Sequence, residues 1–196
     1  MGANHTRTTT KDSTHGTTFI EFEDVKVPVD HLIGEENAGA LTLMHNFNHE
    51  RFIMGVTMAR YSRMCYSEAL HEATTRSTFG KKLIDHQLIR FKLAEMLRQV
   101  EALQAFVEQI GYCFKMGVPD GQLGAQCALL KVQSSKTFEY CAREAVQIFG
   151  GSGIVKEGRG AYVERLYREV RGMAIPGGSE EILLDLAIRQ ALKANL

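Results

Sequence analysis

With 196 residues and 23 Lys and Arg balanced by 23 Asp and Glu, the chain has the length for one domain with a sizeable core and no net charge. That balance excludes a field that would gather nucleic acid or acidic membranes, and no apolar run approaches the ~20 residues a bilayer span needs. The polar, threonine-rich start has no signal-peptide core, and Cys65, Cys113, Cys127 and Cys141 show neither a CxxC pair nor metal-ligand spacing, so they read as reduced core residues of a soluble intracellular protein.

Pro28, Pro119 and Pro176 fall where hydrophobic periodicity changes, as suits a residue that cannot continue a helix ladder. Before Pro28, residues 17–23 alternate with period two around Phe and β-branched side chains and predict a strand. Residues 37–75 contain no proline and two glycines, with Leu41, Met44, Phe47, Ile53, Val56 and Met58 at roughly helical spacing. They predict one very long helix, or two joined near Gly55. Residues 76–87 then form a polar, glycine-broken loop. Its arginine, hydroxyls, aromatic ring and His-Gln pair suit a ligand that is anionic at one end and planar at the other, or else an ordinary solvated connection.

Leu93, Leu97, Val100, Leu103, Val107 and Ile110 step by three and four along a second helix over 87–115. A third, over 121–149, has an interior stripe of Leu123, Cys127, Leu130, Ser134, Thr137, Cys141, Ala145 and Ile148, whose small members allow a neighbouring helix close. Gly150-Gly151-Ser152-Gly153 stops it. Shorter helices follow over 161–170 and 179–194, the last opened by Ser179 as N-cap. The expected fold is mainly α: an up-down, four-helix-bundle-like domain over 37–196 with extra short C-terminal helices, preceded by a β remnant and linker over 1–36.

Several side-chain groups could carry chemistry. Glu50-Arg51 sets a carboxylate beside a guanidinium among Phe47, Phe52, Ile53 and Met54; half-buried there, the carboxylate would gain the proton affinity that a base for a weak carbon acid requires. An exposed Glu beside an unrelated Arg is the plainer alternative. His45 and His49 lie four apart, but no third ligand stands at a recognisable spacing and no metal site is expected. The 150–153 glycines follow a helix rather than a strand and lack the Lys-Ser/Thr of a Walker motif, so they read as a helix cap and close-approach turn, with Gln147 able to offer an amide. Pro176-Gly177-Gly178-Ser179 leaves backbone N–H groups at a helix start, suited to an oxyanion or to a simple turn and cap.

Taken in order, Asn48-His49-Glu50-Arg51, Arg76-Ser77-Thr78-Phe79-Gly80 with His86-Gln87, Lys92 to Met96, Gln147 to Gly153, Arg165 to Arg171 and Gly177 to Ile182 resemble the C-terminal helical domain of acyl-CoA dehydrogenases. The stretches Phe22 to Pro28 and Leu32 to Glu36 resemble the end of that family's middle β-domain. The resemblance implies FAD as cofactor, contacted by Arg76, Ser77, Thr78 and Phe79 with His86 and Gln87 nearby. It places Gln147, Gly150 and Gly151 at the adenosine side and gives Ser179 and Glu181 a further contact. It sets Arg51 beside the active site.

Many members carry the catalytic base where this chain has Gly177, which cannot accept a proton. A subset including the isovaleryl and long-chain enzymes carries it on the domain's first helix, where Glu50 stands. The implied reaction is removal of the proton α to a thioester carbonyl by Glu50 and hydride transfer from the β carbon to flavin, with the carbonyl held by the Gly177 N–H, giving a trans-2-enoyl-CoA. The implied partners are an acyl-CoA and either copies of the chain in a dimer or tetramer or another chain supplying the missing N-terminal and middle domains. An electron acceptor is also implied, one that the residues do not identify. The family's other domains do not fit before Asn37, and residues 1–15 read as a truncated end of the β-domain. A non-catalytic scaffold and a related flavin oxidase are the alternative readings. Lys193-Ala194-Asn195-Leu196 resembles a variant peroxisomal targeting tail, with a frayed helix end in a cytoplasmic or mitochondrial protein as the alternative.

Overall fold

The computed structural model describes residues 5–10, 18–44 and 46–194. The chain divides into two compact units, Met1–Asn46 and Phe47–Leu196. His45 of the histidine pair, residues 1–4 and 11–17, and Asn195 and Leu196 of the tail lie outside the described residues.

In the first unit, β1 (His5–Thr10) pairs antiparallel with β2 (Thr18–Glu23), His5 opposite Glu23 and Thr10 opposite Thr18. The alternation over 17–23 predicts β2. A threonine run offers no apolar face to alternate, which hides β1, although the branched Cβ of threonine suits extended backbone. A single turn over Val29–His31 follows Pro28, and α1 spans Gly39–Met44. Phe22, Val29, Ile33 and Leu43 stand exposed.

The second unit is built on three long helices, α2 (Phe47–Thr75), α3 (Gln87–Lys115) and α4 (Asp120–Phe149), followed by α5 (Ala161–Ala174) and α6 (Glu180–Ala194). The short connections give up-down-up order. Gly111 of α3 faces Phe52 of α2 while Glu101 pairs with Arg63, so α2 and α3 run antiparallel. Gly55 faces Leu130 and Tyr61 faces Phe138, so α2 and α4 run parallel. Mainly helical architecture is therefore what the periodicities predict, and α3 has the predicted bounds.

One expectation is corrected. The long N-terminal helical pattern breaks between Met44 and Phe47, not at Gly55, which lies buried inside continuous α2. A Cβ at Gly55 would come 2.9 Å from Leu130, so this glycine marks close helix approach rather than a joint. Of the apolar residues whose spacing predicts the helix, Met58 is buried and others face outward. Ile53 and Val56 are exposed, whereas Gly55, Met58, Ala59, Ser62, Cys65, Ala69 and Ala73 are buried. Because α4 packs so near, much of that face takes small side chains, which a count of large apolar residues passes over.

Helix α4 is the centre, packed by α2, α3, α5 and α6, and every member of its predicted stripe is buried. One core cluster joins Met58, Met96, Val100, Phe138, Ile148, Val163 and Leu166 of four helices; a second joins Leu103, Ile110, Leu123 and Leu130; a third seats Leu183 and Ala187 of α6 on Ala128 and Val132. Such a surrounded helix must satisfy its polar side chains locally. Ser134 and Ser135 donate to the carbonyls of Lys131 and Val132, at 2.8 and 3.0 Å. The four cysteines are free. Burial pushes the Cys127 and Cys141 thiols up, to about 11 and about 12, so they stay protonated and inert near neutrality.

Candidate active site

The first turn of α2 and the turn between α5 and α6 meet at Arg51. Its side chain is buried, lies over the Phe47 ring at 5.3 Å, and donates from Nε to the Gly177 carbonyl at 3.0 Å. Burial lowers the proton affinity of the guanidinium, partly offset by Cys127 and Glu50. Gly177 has φ +72°, and a Cβ there would come 2.9 Å from Met54 Sδ. A side chain at 177 would have to take left-handed backbone and displace Met54, so this place suits glycine.

Glu50 neighbours this contact but is itself exposed, the second of the two arrangements that the pair allowed. Successive helix residues point about 100° apart, and Arg51 is the one turned inward. His49 is held by Asp120, Nδ1 to Oδ2 at 3.5 Å, and lies against Phe114 with centroids 4.7 Å apart. Among the described residues no group of three or more His, Cys, Asp or Glu could hold a metal ion.

The turn rests on a second cation that the sequence reading missed. Lys131 of α4 is fully buried, and its Nζ donates to the carbonyls of Ala174 and of Gly178, the latter at 2.8 Å. Burial lowers its proton affinity, with Glu180 opposing. The available signal was a lone lysine within the run Leu129-Leu130-Lys131-Val132, in a helix whose small residues show it is packed on several sides. Ser179 acts as the predicted N-cap, accepting from the Ile182 N–H at 3.5 Å. The Glu181 carboxyl is held below the usual range by its own backbone N–H and by the Ser179 hydroxyl. Ser179 and Glu181 therefore belong to the Gly177 turn.

The other candidates gather around Arg76. β3 (Ser77–Thr78) and β4 (Lys81–Lys82) form a tight antiparallel hairpin whose two tip residues, Phe79 and Gly80, have φ +50° and +79°. Positive φ at both central positions makes it a type I′ turn, which matches strand twist. It holds an aromatic residue in left-handed backbone with its ring 97% exposed. That arrangement costs about 1 kcal/mol and packs nothing within the chain. Phe79→Asn should therefore raise stability to urea by up to about 1 kcal/mol; a loss instead would show that the ring is held by the chain itself.

Thr78 Oγ1 and His86 Nε2 lie 3.4 Å apart, bracing the hairpin, while Ser77 and Gln87 are exposed. Arg76 Nη1 donates to the Phe149 carbonyl at 3.2 Å, which joins the hairpin to Gly150 at the end of α4. Gln147 and Gly151 are exposed beside it.

Two further residues escaped the sequence reading. Glu72, one turn before Arg76, is buried, with Oε1 3.7 Å from Arg76 and 3.5 Å from Arg159, yet that oxygen receives no hydrogen bond. Arg159 also donates from Nε to Ser152 Oγ at 3.2 Å. Glu72, Arg76, Arg159, His71 and Phe149 line a cavity of about 270 Å³. Nothing in a helical repeat signals such a pairing, since Arg159 comes from a loop more than eighty residues away.

Residues 37–192 match the family described as the C-terminal domain of acyl-CoA dehydrogenase. The chain is 44% identical over 184 residues to the acyl-CoA dehydrogenase apdG of Emericella nidulans, covering 92% of this chain and 42% of that one. It is 32% identical over 167 residues to the human mitochondrial very long-chain specific acyl-CoA dehydrogenase, covering 85% of this chain and 25% of that one. Among solved structures it resembles butyryl-CoA dehydrogenase from Megasphaera elsdenii, with TM-score 0.83 and 28% identity over 95% of this chain and 48% of that one. The chain thus spans less than half the length of these relatives. The chain belongs to the acyl-CoA dehydrogenase family and carries its C-terminal helical domain.

Proposed function

We propose that this chain is the base-bearing, flavin-clamping portion of an FAD-dependent acyl-CoA dehydrogenase, working with polypeptide that supplies the family's other domains or with further copies of itself. The observation that carries the reading is the Arg51 to Gly177 hydrogen bond, which fixes the first turn of α2, with Glu50 on it, against the α5–α6 turn. A base and a carbonyl-binding turn are needed together, because an α proton is too weak an acid unless the thioester carbonyl is polarised. Glu50 takes that proton. The backbone N–H at Gly177 holds the carbonyl oxygen, and the exposed Glu50 loses water only when substrate and the covering polypeptide close over it.

The residues around Arg76 fit FAD. A guanidinium at the mouth of the 270 Å³ cavity suits a phosphate oxygen, and the bare Glu72 Oε1 suits a hydroxyl or amino donor of a nucleoside. The exposed Phe79 ring suits a planar partner. Bound flavin supplies the acceptor for the hydride that leaves the β carbon. No described helix is long and apolar enough to cross a membrane. The Lys193 to Leu196 tail supports a peroxisomal destination where Leu196 is the terminus.

The test is the visible spectrum of the protein with FAD, with and without an acyl-CoA in the absence of air. A yellow protein that bleaches supports the dehydrogenase. Failure to bind flavin even with a partner chain favours a scaffold, and reoxidation by air with peroxide release favours an oxidase.

A further inference from the structure

We propose that Lys131 is a positioning residue for the reaction: its buried ammonium group, together with the Arg51 guanidinium, holds the 174–178 turn by its carbonyl oxygens and keeps the turn's N–H face ready for a thioester carbonyl. The proposal rests on the dehydrogenase reading above.

Lys131 has no exposed surface, and burying an ammonium ion costs several kcal/mol unless its hydrogens are taken up. Two of the three are taken up by the turn. Ala174 closes α5 and Gly178 stands just before α6, so one side chain spans the two ends of the connection while Arg51 holds the Gly177 carbonyl between them. The partial negative charges of three carbonyls thus meet two cations on the inner side.

Peptide units are planar and trans, so drawing the carbonyls of Gly177 and Gly178 inward directs the N–H groups of Gly178 and Ser179 to the opposite side, while the Gly177 N–H lies in the chain between the held carbonyls of Ala174 and Gly177. Among the described residues the N–H groups of Gly177 and Ser179 make no backbone hydrogen bond. Pro176 contributes no N–H, so the donor face begins at Gly177. A cation on a peptide carbonyl also strengthens the donor at the other end of the same unit. Ser135, which donates to Glu180, and Lys136, 3.7 Å from the same carboxylate, fix the start of α6 beside it. Simple structural closure of a turn does not require a charge; one buried cation that holds both ends is suited to setting direction.

The test compares wild type with Lys131→Met, which keeps the length of the stem and removes every donor. In the chain, amide ¹⁵N relaxation of Gly177 and Gly178 should show order parameters falling from the rigid range, roughly 0.85, to below about 0.6, with α4 amides such as Ala142 unchanged. In the flavin-loaded protein, kcat should fall roughly 10- to 100-fold while KM and flavin occupancy stay within about twofold, because the lost donors act in the transition state. Lys131→Gln keeps one short donor and carries both readouts if the methionine variant does not fold.

Unchanged order parameters, or a loosened turn with wild-type kcat, overturn the proposal. If wild type itself does not reduce flavin, it is the dehydrogenase reading that fails, and the order parameters alone decide whether Lys131 holds the turn.

Discussion

Glu50→Gln is expected to slow flavin reduction by acyl-CoA roughly 10²- to 10⁴-fold, the range for losing a general base, while leaving flavin affinity unchanged. The side chain is exposed on the first turn of α2, so the amide should alter folding stability by no more than about 0.5 kcal/mol. Other groups are badly placed to replace it. Gly177 has no side chain, Arg51 is committed to the Gly177 carbonyl, and His49 is turned to Asp120 and Phe114. Stopped-flow bleaching of the flavin measures the step directly. A variant that bleaches within threefold of wild type takes the base role away from Glu50 and leaves the Arg51 contact a purely structural joint.

Much of this arrangement is legible in the sequence, and the illegible part has a physical pattern. Helix α3 is an amphipathic helix with one buried stripe, so steps of three and four give its bounds. Helix α4 is enclosed on most of its surface; its stripe is readable, but Lys131, Glu144 and Phe138 lie buried outside the stripe, and a two-faced pattern cannot announce them. Helix α2 is harder to read, because close approach by α4 selects Gly55, Ala59, Ser62 and Ala69 for much of its inner face and leaves Ile53 and Val56 outside. The ordered motifs find Arg51, Gly177, Arg76 and Gly150 as separate segments. That Arg51 is tied to Gly177, and Arg76 to Phe149, depends on contacts spanning 126 and 73 residues, which no local spacing encodes. Local spacing leaves both readings of Glu50-Arg51 open; in the structure the guanidinium takes the inner place and the carboxylate stays exposed.

Gly160→Ala should unfold or displace the segment beside Arg76, on the side proposed to meet flavin, at a cost of about 1–3 kcal/mol. Backbone geometry alone predicts the reverse. Gly160 has φ −94° and ψ −4° just before α5, where alanine is comfortable and loss of unfolded-state freedom would stabilise by about 0.4–1 kcal/mol. The space decides otherwise. A Cβ at 160 would overlap the carbonyl carbon and oxygen of Ser152 and come 2.9 Å from the Gly153 nitrogen, all backbone atoms that no rotamer change can move aside. Gly153 is buried against Val146 and Phe149, so the 150–154 turn is held from its other side as well. Ser152 donates to the Phe149 carbonyl at 2.9 Å, and that carbonyl also accepts from Arg76. Pushing Ser152 therefore moves the acceptor that aims the arginine. Gly151→Ala separates the two effects, because a Cβ there meets nothing within 4 Å. It should leave the thermal midpoint of the chain unchanged and weaken flavin alone, whereas Gly160→Ala should lower the midpoint before any flavin is added. Equal midpoints for the two variants would mean that the 150–154 turn yields without cost, and Arg76 would then owe its direction to Glu72 rather than to the end of α4.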